Sequence, residues 1–466
     1  MISNRRNAAV RIPVFPGKSV IIRSFENLEC CLLTFHNFPV YFTMMSENLQ
    51  VNRVLKRSLP NSSASRLILI TGARQTGKTT LAKNHYPSLR YINLDAPENR
   101  EFIRKIPTAS WYRDIGNAVI DEAQKEPEVF EKIKYAFDEK SITFAVLLGS
   151  SQILLLKKIR ESLAGRVSIY ELWPLMMSEL TGTDGTEGTG DNHMPLVDQL
   201  FSGRSLDDIF NKVPGVLLDR EYTVRKQAEQ YLFQWGGMPA LLSLDDNERW
   251  KWLKDYGYTY LERDLADLAR LDDLAPFRKF QKLSAVRSGQ LLNYSELARD
   301  ADISVDTSRR YLEYLNISYQ VILLQPYYRN ITSSLVKTPK IYWLDIGLLR
   351  MLCGFRETEY GAIYETLVAA EFYKWIKTMQ RQVEMYFYRT RSGLEVDLLL
   401  QTPHGVIGVE VKGRESVSSA DCRAMKEVGA GMGSEWLGGM VVYRGAEIRK
   451  LADPYLWAVP SFRLFT

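Results

Sequence analysis

The chain has 466 residues, of which 45% are hydrophobic and 25% charged, with a formal net charge of +5. This composition is that of an ordinary globular protein of about three domains, and it excludes a disordered or fibrous chain. The small positive charge permits a nucleic-acid partner without indicating one. The few cysteines form neither a disulfide framework nor a metal-type C-x-x-C pair, which favours a reduced, cytoplasmic location.

The N-terminal part of the chain differs from the rest. Residues 28–45 are apolar but are interrupted by polar residues and by Pro39, and no small-residue cleavage site is evident, so we do not expect a signal peptide. We expect residues 1–44 to be a loosely ordered extension or an artefact of start-site choice. No stretch offers the roughly 20 uninterrupted apolar residues of a membrane-spanning helix, and we therefore expect no membrane association.

A phosphate-binding loop pattern, G-x-x-x-x-G-K-[ST], spans residues 72–79 after a short apolar run and before a segment that can form a helix. Its two glycines allow a bend in which backbone N–H groups point at phosphate oxygens near a helix N-terminus. Lys78 is expected to reach the β- and γ-phosphates, where it would also be catalytic, and Thr79 to ligate Mg2+. The predicted ATP-binding set is Gly72, Ala73, Arg74, Gln75, Thr76, Gly77, Lys78, Thr79 and Thr80.

Short β-type runs alternate with helix-length segments around this loop. The runs are Arg66–Thr71, Arg90–Asp95, Asn117–Asp121, Ile142–Gly149 and Val167–Leu172. The alternation predicts an α/β fold with a parallel sheet and crossover helices, the plan of P-loop nucleotide hydrolases. The third run delivers two adjacent carboxylates to the edge of the sheet. Asp121 is expected to hold Mg2+ through its water shell, and Glu122 to orient or deprotonate the attacking water.

Two later positions resemble functional positions of AAA+ ATPases. Ser150, after the fourth run, resembles the sensor that lies beside the γ-phosphate. Arg166 stands immediately before the fifth run, where AAA+ proteins often carry an arginine finger that reaches a neighbouring subunit's nucleotide, and Arg160 is the second candidate. A surface arginine without a catalytic part is an equally good interpretation, because a finger requires an oligomer.

Residues 295–328 follow a helix–turn–helix–strand pattern. The helices are expected at Ser295–Ala301 and Val305–Ile317, with Ser304 as the N-cap of the second, and a hairpin arm follows from Val321. This order predicts a winged-helix arrangement. Such modules bind DNA in many proteins and serve as protein contacts in others. The two arginines of the second helix and several tyrosines favour DNA contact.

A second constellation of charged residues lies in the C-terminal quarter. Asp397 lies in one β-type run, and the next run contains Glu410 and Lys412 on the same face, with Glu365 upstream in a helix. This is the PD-(D/E)XK nuclease arrangement: Asp397 and Glu410 would bind Mg2+, Glu365 would support it, and Lys412 would position or activate water. The alternative is a chance Glu-x-Lys in a solvated strand, but the apolar flanks make buried carboxylates costly without a metal or hydrogen bonds. The pattern favours a nuclease-like fold more than active cleavage.

The combination of motifs resembles AAA+-type ATPases of bacteria and archaea that are followed by a domain of unknown function. The stretches that carry this resemblance are Gly72–Thr79, Val119–Gln124, Leu148–Ser151, Leu163–Arg166, Tyr260–Asp264, Leu291–Ala298, Lys340–Leu348, Arg389–Asp397 and Glu410–Lys412. The resemblance covers roughly residues 48–450. It implies a cytosolic ATP-binding protein, an ATPase, with winged-helix and nuclease-like parts.

These observations divide the chain into five predicted segments. They are residues 1–44, an N-terminal extension; 45–195, a P-loop AAA+-like ATPase core with a Gly-rich surface loop near its end; 196–275, a helical lid; 276–350, a winged-helix-like domain; and 351–466, a PD-(D/E)XK nuclease-like α/β domain.

The first functional hypothesis is an ATPase whose nucleotide state changes the posture of a DNA-contacting C-terminal region. The alternatives are an ATP-gated, Mg2+-dependent DNA nuclease and a nucleotide-responsive binding module without catalysis. ATP and Mg2+ are the expected cofactors. DNA and further copies of the same chain are the candidate partners.

Overall fold

The computed structural model describes residues 10–13, 19–22, 51–149, 163–182, 194–269, 274–327, 338–354, 360–390, 392–452 and 455–466. The chain divides into two units, Met1–Leu49 and Gln50–Thr466. The first unit is described as an antiparallel pair of strands, β1 (Val10–Pro13) and β2 (Ser19–Ile22). The remainder of the predicted extension, most of the predicted Gly-rich loop, and the candidates Ser150 and Arg160 lie outside the described residues.

The second unit opens with a five-stranded parallel sheet in the order β4-β5-β6-β3-β7. Its strands are β3 (Arg66–Thr71), β4 (Arg90–Asn93), β5 (Ala118–Asp121), β6 (Phe144–Gly149) and β7 (Val167–Glu171). The connecting helices are α1 (Lys78–His85), α2 (Pro97–Lys105), α3 (Trp111–Asp114) and α4 (Glu128–Asp138). This arrangement confirms the predicted parallel α/β sheet.

The central strand β3 is apolar along its length because it is covered on both faces. Leu67 and Leu69 pack into a core on one side of the sheet, and Ile68 and Ile70 pack into a second core on the other side. Alternate residues of a strand point to opposite faces, so a strand covered on both sides needs a continuous hydrophobic run. The covered sheet holds the carboxyl end of β3, and with it the phosphate loop, in a fixed position.

Helices follow the parallel sheet. They are α5 (Met177–Thr181), α6 (Leu196–Gln199), α7 (Leu206–Phe210), α8 (Asp219–Trp235) and α9 (Asp246–Ala269). The segment predicted as a lid is therefore helical, while its action as a lid stays a prediction. None of the helices within the described ranges is long and apolar enough to cross a membrane.

The helix–turn–helix pattern is present with the predicted order of elements. It comprises α10 (Ala275–Val286), α11 (Tyr294–Ala301), α12 (Val305–Ile317) and the antiparallel strands β8 (Val321–Pro326) and β9 (Lys340–Trp343). Ser304 caps α12, since its hydroxyl accepts a hydrogen bond from the backbone N–H of Thr307 at 3.1 Å. Rings of Phe277, Phe280 and Tyr311 pack together between the helices. The identity of this helix–turn–helix segment as a winged helix stays a prediction.

The C-terminal part is an eight-stranded mixed sheet in the order β14-β15-β13-β12-β11-β10-β8-β9. Its further elements are α13 (Ile346–Leu352), α14 (Tyr360–Thr378), β10 (Glu384–Arg389), β11 (Glu395–Thr402), β12 (Gly405–Lys412), α15 (Arg423–Met432), β13 (Trp436–Tyr443), β14 (Arg449–Ala452), β15 (Leu456–Pro460) and α16 (Ser461–Leu464). Strand β8 pairs in parallel with β10, so the strands of the helix–turn–helix segment belong to this sheet.

Asp345, directly after β9, joins two separate parts of this unit. Its carboxylate is buried and accepts hydrogen bonds from the backbone N–H of Gly237 at 2.8 Å and of Leu348 at 2.9 Å. The first bond fixes the turn after α8, and the second caps α13. Burial raises the pKa of Asp345, and the backbone donors oppose that rise.

Replacing Asp345 by Ala should lower the free energy of unfolding by about 2–3 kcal/mol, because two buried N–H groups lose their acceptor. Asp345→Asn should cost less, since its amide oxygen can still accept one bond. Urea unfolding monitored by tryptophan fluorescence measures both. The exposed Glu427→Ala in α15 is the control and should change stability by no more than about 0.5 kcal/mol. Equal losses in Asp345→Ala and the control would contradict the prediction.

Candidate functional site

The phosphate loop connects the end of β3 to the start of α1. Gly72 and Gly77 have φ angles of 149° and 94°, a region that residues other than glycine rarely adopt. A Cβ atom on Gly72 would lie 2.1 Å from the carbonyl oxygen of Leu172. The first glycine is therefore required by the close approach of the chain that leaves β7, and the loop lies directly against that segment.

Side chains of the loop itself and of α9 donate hydrogen bonds to the carbonyl groups of the loop. Lys78 is buried, and its Nζ donates to the carbonyls of Gly72 at 3.0 Å and Ala73 at 2.7 Å. The Thr76 hydroxyl also donates to the Ala73 carbonyl, at 3.0 Å. From α9, the hydroxyl of Tyr256 donates to the carbonyl of Arg74 at 3.1 Å. These contacts define the shape of the loop that the sequence pattern predicts for phosphate binding.

The two residues predicted to serve Mg2+ are in direct contact. Thr79 Oγ1 donates to Asp121 Oδ2 at 2.6 Å, and the hydroxyl of Tyr91 on β4 donates to the same oxygen at 2.7 Å. A hydroxyl and a carboxylate beside the phosphate loop are the oxygen ligands that Mg2+ accepts together with the phosphates of ATP, so these residues fit that ion. Burial and the hydrogen bond to Asp121 raise the pKa of Tyr91 well above its usual range. Sequence analysis missed Tyr91, because only the pairing of β4 with β5 brings it to Asp121.

Glu122 follows β5 in a left-handed backbone conformation, with φ 53°. A left-handed residue other than glycine, asparagine or aspartate is uncommon and is concentrated at functional sites. Its carboxylate accepts a hydrogen bond from Gln124 Nε2 at 2.5 Å, and its backbone N–H donates to Asp121 Oδ1 at 2.9 Å. Glu122 is thus held next to Asp121, and its action on water stays a prediction.

Arg166 lies away from the phosphate loop of its own chain. It precedes the start of β7, and its Nε donates to Asp138 at 2.6 Å in a partly exposed pair. Because β7 runs parallel to β3, with Thr71 opposite Glu171, Arg166 lies at the opposite edge of the sheet, about 16 Å along the strands from the loop. A finger role could only be played in another copy of the chain, and it stays a prediction.

A buried arginine upstream of the sheet supports the loop. Arg53 donates through Nη1 to the carbonyl of Thr76 at 2.5 Å, through Nη2 to that of Trp173 at 2.5 Å, and through Nε to Glu179 at 3.0 Å. Glu179 also accepts from two backbone N–H groups, so the buried pair is well hydrogen-bonded, as the cost of desolvating both charges requires. The sequence offered no signal for Arg53, since its partners are far from it along the chain.

The C-terminal constellation is also assembled. Asp397 on β11 and Glu410 on β12 lie on adjacent antiparallel strands, and Asp397 Oδ2 accepts from the backbone N–H of Val411 at 2.8 Å. Lys412 Nζ lies 2.6 Å from Glu410 Oε1. The other carboxylate oxygen of Glu410 is buried and has no hydrogen-bond partner among the described residues.

Glu365, on α14, reaches the same region but contacts residues that sequence analysis did not select. The hydroxyl of Tyr342 donates to Glu365 Oε1 at 2.7 Å. The Nζ of Lys340 lies 3.5 Å from that oxygen and 2.6 Å from Glu395 Oε1. Lys340 and Tyr342 are two residues apart on β9, so their side chains share a face of the strand. This alternation is visible in the sequence, but it indicates a part in this site only when the position of β9 is known.

A Mg2+ site made by Glu365, Asp397 and Glu410 is not supported by this geometry. Among the residues that the structure describes, no group of three or more His, Cys, Asp or Glu side chains is placed to hold a metal ion. Lys340 and Lys412 instead pair with carboxylates of the cluster. The role of Glu365, Asp397 and Glu410 in metal binding therefore stays a prediction.

Two carboxylates of this cluster have strongly altered acidity. Burial, together with the nearby charge of Asp397, raises the pKa of Glu365 to about 7 and that of Glu410 to about 7. Burial also raises the pKa of Asp397, against the opposing influence of Lys340. Desolvation disfavours the ionised form, and neighbouring negative charges add to that effect.

The raised pKa of Glu365 should make stability depend on pH. The folded protein keeps this proton to about pH 7, whereas an exposed glutamate releases it near pH 4.5, so the folded state binds more protons between these values. The free energy of unfolding should therefore fall as pH rises from 4.5 to 7. Glu365→Gln should reduce that fall by on the order of 1–3 kcal/mol. Urea unfolding between pH 5 and 8 measures it, and the exposed Glu384→Gln should keep the wild-type slope. A slope unchanged in Glu365→Gln would refute this prediction.

Comparison with known proteins finds three successive segments of the chain that match family models. Residues 64–181 match the model of an AAA domain. Residues 225–359 match a domain of unknown function (DUF8612), and residues 360–463 match another (DUF4143). The parallel α/β segment is therefore similar to AAA domains, and the two segments that follow it are similar to domains of unknown function.

Relatives along most of the chain are uncharacterized proteins. The chain is 29% identical over 433 residues to one from Mycobacterium tuberculosis, covering 91% of this chain and 86% of the relative. It is 22% identical over 377 residues to one from Methanocaldococcus jannaschii, with 75% of each covered. Among solved structures, a Walker-type ATPase of Pyrococcus abyssi is 16% identical and covers 64% of this chain and 94% of its own, with a TM-score of 0.39.

Proposed function

We propose that this protein hydrolyses ATP and that its nucleotide state alters the C-terminal region. The observation that carries the proposal is the direct contact between Thr79 of the phosphate loop and Asp121 at the end of β5. This contact joins the two motifs that P-loop nucleotide hydrolases use to hold a nucleotide and its metal ion. The match of residues 64–181 to an AAA domain supports the same conclusion.

Each residue of the site has a part in this proposal. The loop and Lys78 bind the β- and γ-phosphates, and Thr79 and Asp121 hold the Mg2+ that accompanies ATP, which would neutralise charge between the phosphates. The Tyr91 hydroxyl orients the Asp121 carboxylate. Glu122, beside it, orients or deprotonates the water that attacks the γ-phosphate. The residues therefore supply binding, metal positioning and water activation in one place.

Two substitutions separate binding from hydrolysis. Lys78→Ala should abolish both, because it removes the positive charge that contacts the phosphates. Glu122→Gln should retain ATP binding while turnover falls by about 10²–10⁴, the contribution expected of a general base. Binding of a fluorescent ATP analogue and phosphate release measure the two properties. Lys105→Ala, on the exposed face of α2, is the control and should match wild type. Equal turnover in Lys78→Ala and wild type would discard the proposal.

The link to the C-terminal region begins immediately before the phosphate loop. The hydroxyl of Tyr319, in the turn between α12 and β8, donates to Thr71 Oγ1 at 3.1 Å, and both side chains are buried. The ring of Trp173 packs edge-on against Tyr319 at 5.1 Å and against Tyr373 of α14 at 5.4 Å. Trp173 is also the residue whose carbonyl receives Arg53. A shift of the loop would therefore reach the helix–turn–helix segment through buried contacts.

A second set of contacts connects the chain after β7 with α14. The backbone N–H of Met177 donates to Glu371 Oε2 at 2.8 Å, and Lys374 Nζ donates to the carbonyl of Leu175 at 3.3 Å. Glu371 and Lys374 also pair with each other, and both are buried. The same helix carries Glu365. Packed and hydrogen-bonded elements of this kind are the physical means by which two sites can influence one another.

The surface that would respond to nucleotide is the helix–turn–helix segment. Arg309 and Arg310 are exposed on α12, and Arg309 lies over the ring of Tyr294. Exposed arginines on the second helix of such a segment suit DNA contact, which we propose as its role. The nuclease alternative has weaker support, because Lys412 pairs with Glu410 Oε1 and Lys340 lies 3.5 Å from Glu365 Oε1, so that both ammonium groups would compete with a metal ion for these residues. A binding module without catalysis would show ATP binding and no turnover.

Duplex DNA should stimulate ATP turnover severalfold if the two regions are coupled. The double variant Arg309→Ala with Arg310→Ala should lose the stimulation and keep the basal rate, since neither residue contacts the phosphate loop. Turnover with and without DNA, at two salt concentrations, measures this, and the stimulation should weaken at higher salt. Arg423→Ala with Lys426→Ala removes the same charge from the exposed face of α15 and serves as the matched control. Stimulation that persists in the α12 variant would exclude this surface.

A further inference from the structure

Lys340 has an unusual position for a lysine. It opens β9, which lies at one end of the eight-stranded sheet, and only 3% of the residue is exposed. Its Nζ lies 5.6 Å from the centre of the Phe387 ring on β10. Taking a lysine ammonium out of water is costly unless it is closely paired. The reason for its burial must therefore lie in the groups around it.

Those groups are carboxylates from two different elements. Glu395 Oε1, on β11, lies 2.6 Å from the ammonium, and Glu365 Oε1, on α14, lies 3.5 Å from it. Asp397 shares a face of β11 with Glu395. Burial raises the pKa of Asp397, and the charge of the nearby Lys340 ammonium opposes that rise. The Lys340 ammonium therefore pairs with Glu365 and Glu395 and influences Asp397, while the second oxygen of Glu395 also pairs with Arg389 Nη1 at 3.2 Å.

This ammonium and a metal ion would need the same oxygen atoms. A divalent cation such as Mg2+ or Ca2+ takes carboxylate oxygens at about 2.0–2.6 Å, which leaves no room for an ammonium in contact with them. Among the residues that the structure describes, no group of three or more His, Cys, Asp or Glu side chains is already placed for a metal ion. We infer that the Lys340 ammonium takes the place of a divalent cation among Glu365, Glu395 and Asp397, so that this site excludes such cations while Lys340 stays in it.

The inference goes beyond ATP hydrolysis and does not depend on it. Lys340 is not part of the residues that the nuclease pattern selects, and it lies in the segment matched by DUF8612, whereas Glu365, Glu395 and Asp397 lie in the segment matched by DUF4143. Two adjoining segments thus contribute charged side chains to one site. Removing the ammonium would leave these partly buried carboxylates without their nearest cation, and a divalent cation is then a species that can compensate them.

Mn2+ binding to the full chain without nucleotide tests this inference, with bound Mn2+ counted by electron paramagnetic resonance. Lys340→Met should gain one site of at least tenfold higher affinity than any in wild type, and adding Asp397→Asn to it should remove that site. The charge-retaining Lys340→Arg should bind Mn2+ as wild type does. Lys374→Met is the matched control, because Lys374 is also buried and paired with a glutamate of α14, outside the cluster.

The inference is overturned if Lys340→Met unfolds cooperatively, as wild type does, but gains no site. It is equally overturned if wild type already binds Mn2+ at this cluster, with a loss on Asp397→Asn, or if Lys374→Met gains the same affinity as Lys340→Met. Should Lys340→Met fail to fold, Lys340→Gln is measured in its place under the same criteria, because its amide keeps hydrogen bonding without the charge. Failure of the ATPase variants would leave this result unaffected, since no nucleotide is present.

Discussion

One buried guanidinium holds together the parts from which the nucleotide site is built. Arg53 contacts the phosphate loop at Thr76, the chain after β7 at Trp173, and α5 at Glu179. The carbonyls of Thr76 and Trp173 and the carboxylate of Glu179 all accept hydrogen bonds from this one side chain, so the three elements are fixed relative to one another. The loop, its neighbour Leu172 and the contacts to α14 all depend on this arrangement, because each lies within a few residues of an Arg53 partner.

The molecule handles buried carboxylates in two different ways. At the end of β5, Asp121 is hydrogen-bonded by hydroxyl groups, which leave its negative charge in place for a cation. In the C-terminal cluster, lysines neutralise the carboxylates directly. The first arrangement would suit an arriving cation, whereas in the second the cations are lysines of the chain itself. One helix nevertheless links the two sites: α14 carries Glu365 and also contacts the segment that follows β7.

Local sequence patterns predicted the phosphate loop, the parallel sheet and the helix–turn–helix order, because each depends on residues close together in the chain. The apolar run of β3 and the cap at Ser304 are signals of this kind. Tyr91, Arg53 and Lys340 were missed because their roles arise only from strand pairing and packing between distant segments. For Glu365 and Glu410, the pattern did not reveal that Lys340 and Lys412 would lie beside their carboxylates, and the metal role predicted for them with Asp397 stays a prediction.

The pairing of β8 with β10 has a consequence for how this chain can be divided. The sheet is continuous across the boundary between the segments matched by DUF8612 and DUF4143, with Gln325 opposite Tyr386. A fragment cut at that boundary would leave β10 as an exposed edge strand with unpaired backbone N–H and C=O groups, which can pair with strands of other chains. Divisions drawn from sequence matching therefore do not coincide here with units that can be separated, and the two segments are expected to fold as one.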